Sequence, residues 1–220
     1  MVGSSSSNTT TQTTYTFESL TPGNNYSFLV YSVASNKSGQ QETISSYTKP
    51  ATIKNLKTES ATINSISLSW QQPDGNVDYY KIVNSNTSST ITTFSTTTVI
   101  GSLTPGSPYS FWIYAVIGSD IEGDGTNIIV YTIPDVVQNL QIMNASTTSV
   151  TLNWNPPYGY ATSYMIQILQ NSTFVTNVTS TSVTIQYLTP GNYYTFLVYA
   201  MTDSLVIGAN TSISNYTGKI

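Results

Sequence analysis

A chain of 220 residues with 39% hydrophobic and only 7% charged side chains has the composition of a folded protein, neither a charge-driven disordered tail nor a bilayer span. Histidine, cysteine and arginine are absent, which excludes imidazole and thiolate chemistry and bidentate phosphate recognition, so no cofactor and no catalytic residue is expected. Six lysines against ten acids give a net charge of −4, and no run of about 18 apolar residues occurs, so neither nucleic acid nor direct membrane insertion is expected.

The first fourteen residues, Met1 to Thr14, are mostly Ser and Thr, lack the apolar run of about 7–15 residues of a secretory signal, and are expected to be disordered. Tyr15 and Phe17 then precede Leu20-Thr21-Pro22-Gly23, after which Tyr26 opens a strand that leads to Tyr47-Thr48-Lys49-Pro50. Ile66-Ser67-Leu68-Ser69-Trp70 alternates with period two, the mark of a strand with one buried face. Leu103-Thr104-Pro105-Gly106 follows, and behind it Tyr109, Phe111, Ile113 and Ala115 alternate with Ser110, Trp112 and Tyr114. Tyr131-Thr132-Ile133-Pro134 restates the earlier boundary 84 residues on, as Asn139-Leu140 restates Asn55-Leu56. Val150-Thr151-Leu152-Asn153-Trp154, Leu188-Thr189-Pro190-Gly191 and Tyr194-x-Phe196-x-Val198-x-Ala200 complete the third pass.

A period near 84 decides the architecture before any single residue does. It predicts an all-β chain of tandem sandwiches with turn residues every eight to twelve positions, a truncated unit at 1–49, and complete units at 50–133 and 134–220. The first unit aligns with only the last strands of a complete one, Tyr15 and Phe17 falling on Thr98 and Ile100. Half a sandwich leaves an apolar face uncovered, so 15–49 is expected to be marginal and the chain to be a piece of a longer one.

Trp70 with Tyr80 ten residues on, Trp154 with Tyr164, and Leu-Thr-Pro-Gly-x-x-Tyr ahead of an alternating strand resemble the fibronectin type III module of the immunoglobulin-like sandwiches. The resemblance implies that Tyr26, Tyr109 and Tyr194 are corner tyrosines whose hydroxyls bond to upstream backbone, and that Trp70 and Trp154 are core indoles. The stretch Pro73-Asp74-Gly75-Asn76-Val77-Asp78-Tyr79-Tyr80 and the 68 Ser and Thr residues are similar to ectodomain repeats of vertebrate receptor-type tyrosine phosphatases. That resemblance implies a non-catalytic spacer and ligand-contact region on the outer side of the plasma membrane, meeting an extracellular or cell-surface protein, with any phosphatase domain outside this chain. Linker modules of a secreted carbohydrate-active enzyme and an intracellular scaffold array are the alternatives. Relatives that bind integrins use Arg-Gly-Asp, which a chain without arginine cannot contain.

Nine Asn-x-Ser/Thr sequons offer N-glycosylation sites, at Asn8, Asn25, Asn36, Asn86, Asn144, Asn171, Asn177, Asn210 and Asn215, with Asn86 and Asn171 in corresponding places after the third strand. In the second unit Asp74 and Asp78 join Asp120, Glu122 and Asp124 at one pole. Asp120-x-Glu122-x-Asp124-Gly125 opens like a calcium loop, although its twelfth position is Tyr131 rather than a bidentate Glu, so a weak cation site competes there with a solvated hairpin tip. At the same pole of the third unit, Tyr158 and Tyr160 on one loop and Leu205, Val206 and Ile207 on another form a candidate contact patch. Ser46-Tyr47-Thr48-Lys49 matches a Ser-x-x-Lys string without the companion motifs that its chemistry needs.

Overall fold

The computed structural model describes residues 7–35 and 37–219, and every regular element among them is a β-strand. The first unit holds β1 (Asn25–Ala34) and β2 (Lys37–Tyr47). In the second unit β3 (Lys54–Ala61), β4 (Ile66–Gln71) and β7 (Thr97–Ile100) form one sheet in the order β3-β4-β7. The facing sheet has the order β10-β8-β5-β6, built from β5 (Tyr79–Asn84), β6 (Ser89–Thr93), β8 (Pro108–Ile117) and β10 (Thr126–Tyr131), with the short β9 (Ile121–Glu122) paired to β8.

The third unit repeats the plan. Its sheets run β11-β12-β15, from β11 (Gln138–Ala145), β12 (Val150–Asn155) and β15 (Ser182–Ile185), and β14-β13-β16-β17, from β13 (Ser163–Ile168), β14 (Asn171–Val178), β16 (Tyr193–Met201) and β17 (Ile207–Tyr216).

Alternation along each strand explains why two sheets close on one another. In the second unit Ile66, Leu68 and Trp70 of β4 meet Tyr80 and Ile82 of β5 and Tyr109, Phe111, Ile113 and Ala115 of β8, all buried. In the third, Val150, Leu152 and Trp154 meet Tyr164, Ile166, Ile168, Phe196, Val198 and Ala200. Each indole stands edge-on to a tyrosine, Trp70 to Tyr80 at 5.2 Å and Trp154 to Tyr164 at 5.3 Å between centroids. Burial raises the phenol pKa of Tyr80 and Tyr164, because the ionised form loses solvation there.

The repeated Asn-Leu pairs are β-bulges. Asn55 (φ 51°) and Asn139 (φ 50°) adopt the left-handed conformation where the register slips between Lys54 and Lys57 and between Gln138 and Gln141. Asparagine tolerates that conformation better than most residues, and the slip turns Leu56 and Leu140 toward the cores.

In the first unit β1 pairs β2 in the register that β8 keeps with β10, Phe28 facing Ile44 as Phe111 faces Ile128. Its core-facing Val30 and Ile44 are each 64% exposed, whereas Ile113, the counterpart of Val30, is fully buried. Tyr15 and Phe17 lie in irregular backbone, not in a strand, with Phe17 against Phe28 at 4.6 Å. Of the N-terminal fourteen residues, 1–6 lie outside the described ones and 7–14 follow a course without strand or helix.

Candidate contact surfaces

At one pole of each unit two hydroxyls hold the corner. Thr104 N–H donates to the Tyr109 hydroxyl at 2.8 Å; the Thr132 hydroxyl donates to the Thr104 carbonyl at 2.7 Å and accepts from Ser107 N–H at 3.0 Å. Tyr26 and Thr48 clamp Thr21 and Asn24 in the same way, as Tyr194 and Thr217 clamp Thr189 and Asn192. Hydrogen bonding from Thr21 and from Thr189 holds the phenols of Tyr26 and Tyr194 below the usual tyrosine range. The closing threonine of each clamp is the residue after the last strand, a role that its repeat in Tyr-Thr-x-Pro signals.

The opposite pole carries the acidic loops of the second unit, and they do not converge on a cation. Asp120 accepts from the Tyr79 hydroxyl at 2.6 Å, which raises that phenol's pKa, and Glu122 pairs with Lys81 at 2.5 Å. Asp78 accepts from Gly118 N–H, and Asp74 pairs with Lys54. Tyr79 and Lys81 are two apart on the outer face of β5, so they draw Asp120 and Glu122 onto separate donors along the strand. Among the described residues no group of three or more acids stands where it could hold a metal ion, which corrects the calcium-loop reading of Asp120, Glu122 and Asp124.

In the third unit Tyr158 and Leu205 are the exposed tips of their loops, at 72% and 71%, and Leu205 takes a left-handed turn conformation (φ 58°). Val206 is half-buried with its N–H on the Thr202 hydroxyl, and Ile207 begins β17. Tyr160 has a different place. It lines a cleft of about 230 Å³ between the second and third units, with Ser107, Pro108, Tyr131 and Asp203, and its N–H donates to the Pro105 carbonyl at 3.0 Å. The five residues therefore divide between an exposed rim and a joint between units.

The outer face of β8 holds a surface not singled out from sequence. Trp112, 39% exposed, stacks on Tyr114 at 6.4 Å, and the Lys81 ammonium lies 5.7 Å from the Tyr114 centroid. An indole at an outward position of the alternation is the signal that marks it.

Asn8, Asn25, Asn144, Asn171, Asn177 and Asn210 are exposed, Asn215 is half-buried, and Asn36 lies outside the described residues. Asn177, Met165, Tyr199 and Asn210 form one cross-strand row on the outer face of the third unit. Asn86 is exposed yet tied down: its amide donates to the Pro108 carbonyl at 3.2 Å and its oxygen accepts from Ser110 N–H at 3.0 Å. The residue doing this in the third unit is Gln170, which accepts from Thr195 N–H at 2.9 Å and donates to the Thr195 hydroxyl, so Asn171 is not the counterpart of Asn86. Asn171 caps its own turn, accepting from the Thr173 hydroxyl. Asn86→Ala is expected to destabilise the second unit by about 1–2 kcal/mol and Asn171→Ala to stay within about 0.5 kcal/mol, read from urea denaturation. Equal effects would show that the strand-to-strand bridge contributes nothing.

A profile of the fibronectin type III domain matches residues 48–127 and 135–206. The chain is 34% identical over 209 residues to receptor-type tyrosine-protein phosphatase eta of Gallus gallus, covering 90% of this chain and 15% of that protein. It is 28% identical to receptor-type tyrosine-protein phosphatase H of Homo sapiens, covering 71% and 14%, and 26% identical to tenascin-R of Mus musculus, covering 70% and 12%. Among solved structures, a two fibronectin type-III domain segment from chicken tenascin superposes with a TM-score of 0.52 at 21% identity, over 75% of this chain and 99% of that one.

Proposed function

The chain belongs to the fibronectin type III domain family, and from that premise we propose that it is a non-catalytic spacer and ligand-contact region on the extracellular side of a larger cell-surface receptor or adhesion protein, of the receptor-type tyrosine phosphatase kind. The observation that carries this reading is the 34% identity to a receptor-type phosphatase, which runs through 90% of the chain rather than through the two complete units alone. The chain spans about one seventh of the length of these phosphatases, so an attached phosphatase domain belongs to the proposal and not to the residues described.

Surface chemistry supports the division of labour. Exposed sequons at Asn177 and Asn210 share one row of the third unit's outer face, where glycans would exclude a protein partner. The equivalent row of the second unit carries Tyr114 beside Lys81, with Thr92 beyond it, and no sequon; Trp112 stands in the next row, between Val83 and Asn127. An extracellular protein partner is therefore best met by the Trp112–Tyr114 face, with sandwiches in series holding it at a fixed distance from the rest of the chain.

Intact mass before and after enzymatic removal of N-glycans, on protein from its natural source, tests the reading. The expected result is a loss of several glycans, mapping to Asn25, Asn144, Asn171, Asn177 and Asn210. An unchanged mass would overturn passage through the secretory route and move the search to intracellular scaffolds and bacterial linkers.

A further inference from the structure

The corner of one unit meets a loop of the next, and it does so twice with the same atoms. At the second joint Tyr160 N–H donates to the Pro105 carbonyl at 3.0 Å; at the first, Asn76 N–H donates to the Pro22 carbonyl at 3.1 Å. Backbone lies directly on backbone there. A Cβ on Gly106 would overlap the Tyr160 carbonyl, and one on Gly159 the Pro105 carbonyl. At the first joint a Cβ on Gly23 would overlap the Asn76 carbonyl, and one on Gly75 the Pro22 carbonyl. Gly75 (φ 85°) and Gly159 (φ 87°) also need left-handed backbone, and they stand 84 residues apart in the loops between the second and third strands of their units. Within each complete unit the boundary proline is packed as closely, since a Cβ on Gly123 or Gly208 would lie 2.5 Å from the carbonyl of Pro50 or Pro134.

The corner of the third unit has the same build. Gly191 is left-handed (φ 73°), its N–H bonds the Gly218 carbonyl, and Tyr194 and Thr217 clamp Thr189. A Cβ placed on Gly191 would meet only the Lys219 side chain, at 3.6 Å. The turn alone thus explains the glycine at that corner, while at Gly23 and Gly106 the turn and a docked loop both demand it.

We propose that the Leu-Thr-Pro-Gly corner is a docking site as well as a turn, and that Thr189-Pro190-Gly191 binds a sandwich unit of this same class. The matching element is that unit's loop between its second and third strands, carrying a left-handed glycine followed by a free backbone N–H. A second copy of this chain is not the occupant, because its own two such loops, at Gly75 and Gly159, are already docked within the chain. Only a unit that follows in the same polypeptide presents the loop at high local concentration and in this orientation. The docking is independent of whether the protein is extracellular, so it stands or falls apart from the function proposed above.

The test extends the full chain by placing a second copy of residues 50–133 after Gly218, and reads amide exchange and residual dipolar couplings by NMR. In the native part, the Asn76 and Tyr160 N–H groups are expected to exchange at least about tenfold more slowly than exposed loop amides. The Asn76 N–H of the added copy is expected to match its native equivalent, and the couplings of the third and added units to fit one alignment tensor. Gly75→Ala in the added copy alone should release that amide while the core amides of its Phe111 and Ile113 stay protected. Fast exchange at the added Asn76 with separate tensors would overturn the proposal. If the variant unfolds, its core amides report it, and the unsubstituted extension alone decides.

Discussion

Trp154→Ala is expected to lower the stability of the third unit by about 3–5 kcal/mol, among the largest costs that one truncation can impose on a core. The indole is 1% exposed, is the largest fully buried side chain of the molecule's described residues, and lies between Leu152, Ile166 and Phe196 from both sheets. Its N–H is buried without a hydrogen-bond partner, so the loss is one of packing and burial rather than of polar bonding. Alanine leaves a cavity that two hydrogen-bonded sheets cannot close by collapsing, and Tyr164 loses the ring that it meets edge-on. Urea denaturation followed by tyrosine fluorescence should show the third unit melting early. The second unit's core shares no residue with the third's, so its transition should keep its midpoint. A near-neutral result would overturn the assignment of Trp154 to the core.

Thr132→Val is expected to cost the second unit about 2–4 kcal/mol, although it exchanges one atom for another of nearly equal size. Thr132 is fully buried, and its hydroxyl is both a donor to the Thr104 carbonyl and the acceptor for Ser107 N–H. Valine keeps the shape and orphans both groups, each at about 1–3 kcal/mol when no water reaches them. Tyr109→Phe removes the acceptor for Thr104 N–H, from the same peptide segment, and should cost about 1–2 kcal/mol. The two changes should not add, because once the segment is loosened the second bond has less to hold. Additive effects in a double-mutant cycle would show that the two hydroxyls act separately.

The tandem β-architecture is legible in the sequence because its signals are one-dimensional. Period-two alternation reports a strand with one buried face, and a period near 84 in Tyr-Thr-x-Pro and Leu-Thr-Pro-Gly reports a unit that folds the same way each time. What sequence hides depends on which atoms meet across space. Asn86 and Asn171 share a sequon and a place after the third strand, yet the longer side chain of Gln170 reaches the same kind of backbone N–H that Asn86 reaches, which moves the correspondence by one residue. Asp120, Glu122 and Asp124 have the spacing of cation ligands, but spacing does not record that Tyr79 and Lys81 lie beside the first two. Gly75 and Gly159 read as ordinary loop glycines because the carbonyls that exclude their Cβ atoms belong to another unit.

Those joints also give the array a direction. Each complete unit carries its loop glycine at one pole and its corner at the other, so the contact between neighbours is head-to-tail and never returns on itself. A contact of that kind does not close into a symmetric ring of two; it propagates, as in an open filament. Gain or loss of one whole period leaves every remaining junction with the same pair of partners. Such a chain can change its reach in steps of one unit while its surfaces, and the order in which they are presented, stay as they were.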